Sequence, residues 1–143
     1  MATRYQDDPA LWAKEQAAAL RAGRWQDLDL ENLVEEIEGL SRSDRRELMS
    51  RMVVLLAHLI KWAHQPFNRS SSWEQSIKLQ REEIVELLAE VPSLERTFTK
   101  DWQQKAWTKA RRVAAIETGL DEKTFPRACP WSADRALKED YFP

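Results

Sequence analysis

The sequence predicts an all-α fold: a single compact bundle of about five helices, spanning residues 1–143, with an irregular C-terminal segment packed on it. Three observations predict it. Apolar residues recur every three or four positions along several stretches. Asp, Ser, Pro and Gly stand where such stretches should begin and end. No alternating β-branched run, Asn-Gly or Asp-Gly turn, or internal repeat occurs anywhere. A chain of 143 residues can bury one core without disulfides or metal.

Asp8-Pro9 opens the first helix, because Asp can accept from the free amides while Pro at the first helical position loses no bond. Gly23 suits its stop. Asp27 and Asp29 are capping candidates for the next helix, whose stripe is Leu30, Leu33, Val34, Ile37 and Leu40. Gly39 and Ser41-Arg-Ser43 suggest a break, after which Asp44 and Glu47 could form a reciprocal cap for a central helix reaching Gln65. That helix would bury Leu48, Met52, Leu55, Leu56, Leu59 and Ala63. The two stripes nearly share one register, so a single kinked helix over residues 30–64 is the alternative.

Pro66 ends this helix by excluding helical geometry from Gln65. Ser71 or Ser72 then caps a helix with Trp73, Ile77, Ile84, Leu87, Leu88 and Val91 on its apolar side, which Pro92 stops. Ser93 caps the long fifth helix, with Leu94, Phe98, Trp102, Ala106, Ala110 and Val113 inward and a glycine stop at Gly119. Beyond it, Phe125-Pro126 and Cys129-Pro130-Trp131 suit an extended segment pinned to the bundle, with Ser132 capping a short helix from Ala133 to Glu139.

Composition excludes several functions. A net charge of −2 gives no global attraction to nucleic acid or an anionic membrane. The region Leu48 to Ile60 is interrupted by Ser50, Arg51 and His58 and falls short of the roughly 20 apolar residues of a membrane span. The lone Cys129 cannot form an internal disulfide, and Met1 to Trp12 lacks a basic-then-apolar signal, so the expected location is cytoplasmic. With three glycines, no phosphate-cradling loop is present, and no nucleophile motif occurs.

The only two histidines, His58 and His64, are six residues apart and point about 120° away from each other on a helix, so they cannot share a ligand. His64 suits the helix C-terminus, where the dipole favours it. His58 lies on the flank of Arg51 and Trp62, and the contact that helical geometry allows it is with Trp62. If the preceding helix folded back as a hairpin, a carboxylate near Glu36 could meet His58 for acid/base work. A buried hydrogen bond is the commoner outcome for such a pair. Ligand count supports neither metal nor cofactor: Leu55, not Glu, stands three residues before His58.

Seven tryptophans, most of them near helix ends, suit the sealing of a bundle's edges. Trp107 is the expected exception, pointing away from the Trp102, Ala106 and Val113 side and sharing a face with Arg96, Lys100 and Arg111. From Arg96 to Arg112 six basic residues stand against Asp101 alone, whereas Asp27 to Glu38 holds six acidic residues and no basic one. Basic groups around an exposed indole suit an acidic protein partner better than nucleic acid, given the overall acidity.

Short motifs then occur in order: Glu35 to Leu40, His58 to Trp62 with Gln65-Pro66, Arg69 with Ser72-Trp73, Pro92 to Leu94, Thr118 to Leu120, and Phe125-Pro126 with Cys129-Pro130-Trp131. In this set the chain resembles the bacterial "domain of unknown function 29" family over about Tyr5 to Pro143. The resemblance implies a compact, mainly helical, single-domain bacterial protein and carries no reaction with it. It points to Glu36, Arg42, His58, Lys61, Trp62, Arg69, Trp73 and Trp131 as motif positions. The leading expectation is therefore a protein-interaction or binding module with a polar, Trp-rich face. The alternative is an enzyme or small-ligand binder whose pocket includes Glu36, His58 and Arg69, walled by Trp62 and Trp73.

Overall fold

Helix α1, Pro9–Ala22, begins as its sequence dictates: the Asp8 carboxylate accepts from the Leu11 amide, Pro9 occupies the first turn, and Gly23 closes it in the left-handed region at φ 69°. A computed structural model describes residues 2–143, and among them no strand occurs. The remaining helices are α2, Leu30–His64, α3, Ser71–Glu90, α4, Lys100–Thr118, and the short α5, Ala133–Ala136, joined by single 3-10 turns. Two compact units divide the chain, one ending at Ser43 and the other running from Asp44 to Pro143. Among the described residues no helix is long and apolar enough to cross a membrane.

The first unit is held at the α1–α2 turn. Trp12 and Gln16 are buried on α1. The Trp12 indole donates to the Asp29 carboxylate at 3.0 Å, and Gln16 accepts from the Asp29 amide at 2.8 Å while donating to the Asp27 carbonyl at 3.3 Å. Asp29 also receives the Asn32 amide side chain at 2.8 Å, so hydrogen bonding holds its pKa below the ordinary carboxylate value, with Asn32 the largest cause. Asp29, rather than Asp27, starts α2.

Residues 30–64 form one helix, so the expected break at Gly39 to Ser43 and the Asp44–Glu47 cap do not occur. A helical glycine costs only about 1 kcal/mol against alanine, and Arg42 spans the joint, pairing with Glu35 at 2.8 Å and Glu38 at 3.8 Å. The apolar register of the two halves is continuous, which favours propagation over renucleation.

In the second unit, Leu48, Met52, Leu55, Leu59 and Ile60 of α2 pack with Ile77 and Ile84 of α3 and with Ala106, Trp107, Ala110 and Ala114 of α4 in one core. Ser70, not Ser71 or Ser72, caps α3 by accepting from the Trp73 amide. Ser93 does not cap α4 either: Pro92–Thr97 is a 3-10 segment and Thr99 caps the helix through the Trp102 amide. The end at Gly119, φ 74°, is as expected. Ser132 caps α5, which stops at Ala136 instead of continuing to Glu139.

The segment after Gly119 has little regular backbone to satisfy its own polar groups, and side chains from α3 and α4 supply the partners. Gln104 donates to the Arg127 carbonyl at 2.8 Å and accepts from the Cys129 amide at 2.9 Å. Gln103 accepts from the Ala133 amide at 3.0 Å. Arg81, buried on α3, donates to the carbonyls of Ala136 at 2.8 Å, Glu139 at 3.3 Å and Tyr141 at 2.5 Å.

Two outcomes test this architecture in urea titrations. Gly39→Ala should stabilise the protein by about 1 kcal/mol, because a Cβ there would meet only the Arg42 side-chain tip, at 3.5 Å, an ordinary van der Waals contact; no change or a loss would mean that the helix is interrupted there. Arg81→Ala should cost on the order of 3 kcal/mol by stranding three carbonyls, and a loss under about 1 kcal/mol would remove Arg81 from the packing of the tail.

Candidate functional site

The residues singled out by sequence collect around the C-terminal turns of α2 and the start of α3. Lys61 is buried, and its ammonium reaches the Glu117 carboxylate of α4 at 2.6 Å while lying 5.2 Å from the Trp73 ring centroid. One cation thereby ties α2, α3 and α4 together. Arg69 lies 5.0 Å from the Trp62 ring, donates to the Trp62 carbonyl at 2.9 Å, and reaches the Pro143 main-chain oxygen at 3.4 Å. Trp62 also meets Phe142, with ring centroids 5.0 Å apart.

His58 takes a different partner from the one expected. Its Nδ1–H donates to the Val54 carbonyl at 2.8 Å, one turn back on its own helix, and the Trp62 ring packs on Phe142 instead. With Nδ1 carrying the proton, Nε2 holds the lone pair of the neutral ring. Burial pushes the imidazole pKa below its ordinary 6.5; the Lys61 charge lowers it further, while the Val54 bond and Glu117 oppose the shift. His64 closes α2 with its ring edge-on to Phe125 at 5.1 Å.

Glu36 does not join this group. It stands on the same continuous helix as His58, about six turns earlier, so the hairpin that would have brought them face to face is absent. Its carboxylate instead accepts from the Tyr5 hydroxyl within the first unit, a bond that raises the Tyr5 pKa. Each of the three expected pocket residues engages its own neighbours: Glu36 takes Tyr5, His58 the Val54 carbonyl, and Arg69 the Trp62 carbonyl.

The second expected face is corrected as well. Trp107 is fully buried at 0% exposure, donates its indole N–H to the Pro126 carbonyl at 2.8 Å, and meets Trp131 edge-on at 5.2 Å. Arg111 is half-buried and donates to the Glu122 carbonyl at 2.8 Å. Arg96 and Lys100 remain exposed without the indole they were to flank. Trp107 belongs to the same buried cluster as Ala106, and the tail residues Pro126 and Trp131 cover it.

What sequence reasoning passed over is an apolar surface in the first unit. Leu30, Val34, Ile37 and Leu40 are 66, 51, 65 and 69% exposed along one stripe of α2. Beside them a groove of about 420 Å³ runs between α1 and α2, lined by Ala10, Ala13, Ala17, Leu20, Leu33 and Glu36 among others. The stripe itself was legible as periodicity; the absence of a covering helix was not.

The family model described as "Domain of unknown function DUF29" matches residues 4–142. The chain belongs to this family. A solved structure described as an alpha-helical protein of unknown function, from Rhodospirillum rubrum, is 26% identical, covers 98% of this chain and 92% of its own, and superposes with a TM-score of 0.60. No curated protein matches. The all-α class expected for a DUF29 chain is the one observed.

The depressed imidazole has a consequence for stability. Between the folded-state pKa of His58 and the ordinary 6.5, the unfolded chain binds more protons, so stability rises with pH through that window and falls as pH drops through it. Urea midpoints measured at intervals from about pH 5 to pH 7.5 should therefore climb for the wild type and flatten for His58→Gln. An unchanged slope in the variant would assign the pH dependence to other groups.

Proposed function

We propose that the chain is a cytoplasmic bacterial protein-interaction module whose recognition surface is the first unit, not the α4 face or a pocket at His58. One observation carries the reading: four large aliphatic side chains stand exposed in a continuous stripe, Leu30, Val34, Ile37 and Leu40, beside an apolar groove. A helix that remained solvated would place charged or polar residues there, whereas a stripe wide enough for packing marks a partner's seat. The chemistry of the flanks selects the partner class. Glu31, Glu35, Glu36 and Glu38 surround the stripe and would repel a phosphate backbone, which leaves a protein with an amphipathic helix as the fitting occupant. The lone cysteine suits a reducing compartment.

Photo-crosslinking in the producing cell tests this. Ile37→p-benzoylphenylalanine should yield a protein adduct on irradiation, and Val34→Asp in the same chain should reduce that adduct at least several-fold. The same probe at the exposed Lys109 on α4 should yield none. No adduct from position 37 would overturn the reading.

A further inference from the structure

We propose that the groove between α3 and the C-terminal segment, within the second unit, binds a small monocarboxylate with an apolar body, and that the Arg81 guanidinium receives the carboxylate. Two buried cations occur among the described residues, Lys61 and Arg81, and only one has a counter-ion. Lys61 has the Glu117 carboxylate at 2.6 Å. Arg81, at 4% exposure the more deeply buried, has no carboxylate within ion-pair distance among the described residues. Its charge rests on the carbonyls of Ala136, Glu139 and Tyr141 and on the Phe142 ring. Neutral acceptors offset only part of the cost of taking a cation out of water. Burial accordingly pushes the Arg81 pKa below its ordinary value, with Asp140 and Tyr141 opposing the shift, and the group stays charged.

The same residue lines a groove of about 260 Å³, together with Lys78, Glu82 and Val85 of α3 and Leu137 and Glu139 of the tail. A guanidinium carries five N–H donors. Three are used on the tail carbonyls, which leaves two, one on each terminal nitrogen, and the two oxygens of a carboxylate can accept both. Val85, 55% exposed, and Leu137 supply aliphatic surface from α3 and from the tail. At roughly 30 Å³ for each non-hydrogen atom, the share of a water molecule in the liquid, the groove holds about nine such atoms. A carboxylate on a body of about six carbons fills it.

The acidic residues of the groove narrow the choice. Glu82 and Glu139 are both exposed, so water screens their charges, whereas Arg81 acts from a buried position where the same Coulomb interaction is stronger. Lys78 already pairs with Glu74 at 3.1 Å. The buried charge therefore favours an anion over an ammonium, while the two exposed carboxylates disfavour a dianion such as phosphate.

Proton–nitrogen NMR on the full chain tests this, read at the Arg81 Nε–H and at the Val85 and Leu137 amides. Hexanoate should shift all three saturably, with a Kd on the order of 1 mM for a ligand of this size. Hexanol and hexylamine lack the anion, acetate lacks the apolar body, and inorganic phosphate meets Glu82 and Glu139; each should bind about tenfold more weakly than hexanoate or not at all. Val85→Asp, at an exposed position that the fold does not depend on, should weaken hexanoate about fivefold, and Glu82→Gln should tighten it. Arg81→Lys keeps the charge but loses the fork of donors, and should weaken hexanoate about tenfold. No saturable shift at the Arg81 Nε–H by about 20 mM hexanoate would overturn the proposal. Hexanol or hexylamine binding as tightly as hexanoate would do the same, as would an unchanged Kd in Val85→Asp.

Discussion

A single helix that carries two apolar stripes, Leu30 to Leu40 and Leu48 to Leu59, in one register across the polar run 41–47 is the constraint from which the rest of this structure follows. Because α2 does not turn back at Gly39, its stripe cannot be folded onto itself. The second half is covered by α3 and α4, where Leu48, Met52, Leu55 and Leu59 are almost fully buried. The first half is engaged by α1 at the turn, where Trp12 and Gln16 hold Asp29. Exposure of Leu30, Val34, Ile37 and Leu40 is thus the cost of continuity. The same continuity replaces the hairpin on which an acid/base pairing of Glu36 with His58 was expected.

The second unit solves a different problem. Its C-terminal 25 residues contain almost no helix, and irregular backbone laid against a core has donors and acceptors that water no longer reaches. Long polar side chains projecting from regular helices meet that demand: Arg81 from α3, and Gln103, Gln104, Trp107 and Arg111 from α4. A guanidinium suits the role at Ala136 to Tyr141 because its fork of donors can serve several carbonyls at once, which an ammonium on a flexible stem does less well. Phe142, placed by this clamp, lies 5.3 Å from Arg81 and 5.0 Å from Trp62, so the motif aromatics near the end of α2 owe their surroundings to the tail.

What was legible in the sequence was local. Asp8-Pro9, Gly23, Pro66, Pro92 and Gly119 act within one or two turns, and each marks a boundary within a residue or two of where it falls. The core positions Ile77, Ile84, Ala106 and Ala110 were legible for the same reason, since helical period alone picks the inward face. Gly39 misled because its cost, about 1 kcal/mol, is too little to stop the propagation of an established helix. Trp107 misled because a wheel shows one buried face, whereas α4 is covered on two sides, by helices and by the returning tail. The motifs set Lys61 beside Trp62 and Arg69 beside Trp73, whereas the rings are exchanged in space, Lys61 lying by Trp73 and Arg69 by Trp62; their further partners, Glu117 and Phe142, lie more than forty residues away and carry no local signal.

The contrast between the two clusters of polar and apolar residues argues for where recognition resides. Around Lys61 every charge has found a partner: Glu117 takes the ammonium, Val54 takes the Nδ1 proton of His58, and Arg69 is spread over Trp62 and Pro143. Such mutual satisfaction fixes helices in place and leaves little free energy for a ligand to gain. The α2 stripe has the opposite character. Helix propensity alone would be served as well by Glu, Lys or Ala at positions 30, 34, 37 and 40, so branched and long aliphatic side chains there add nothing to a helix that remains in water. Their contribution, on the order of 1.5 kcal/mol or more for each side chain fully covered, is realised only when another apolar surface arrives. The first unit thus carries a run of aliphatic side chains that burial would stabilise, while His58, Lys61 and Arg69 make contacts within the other unit.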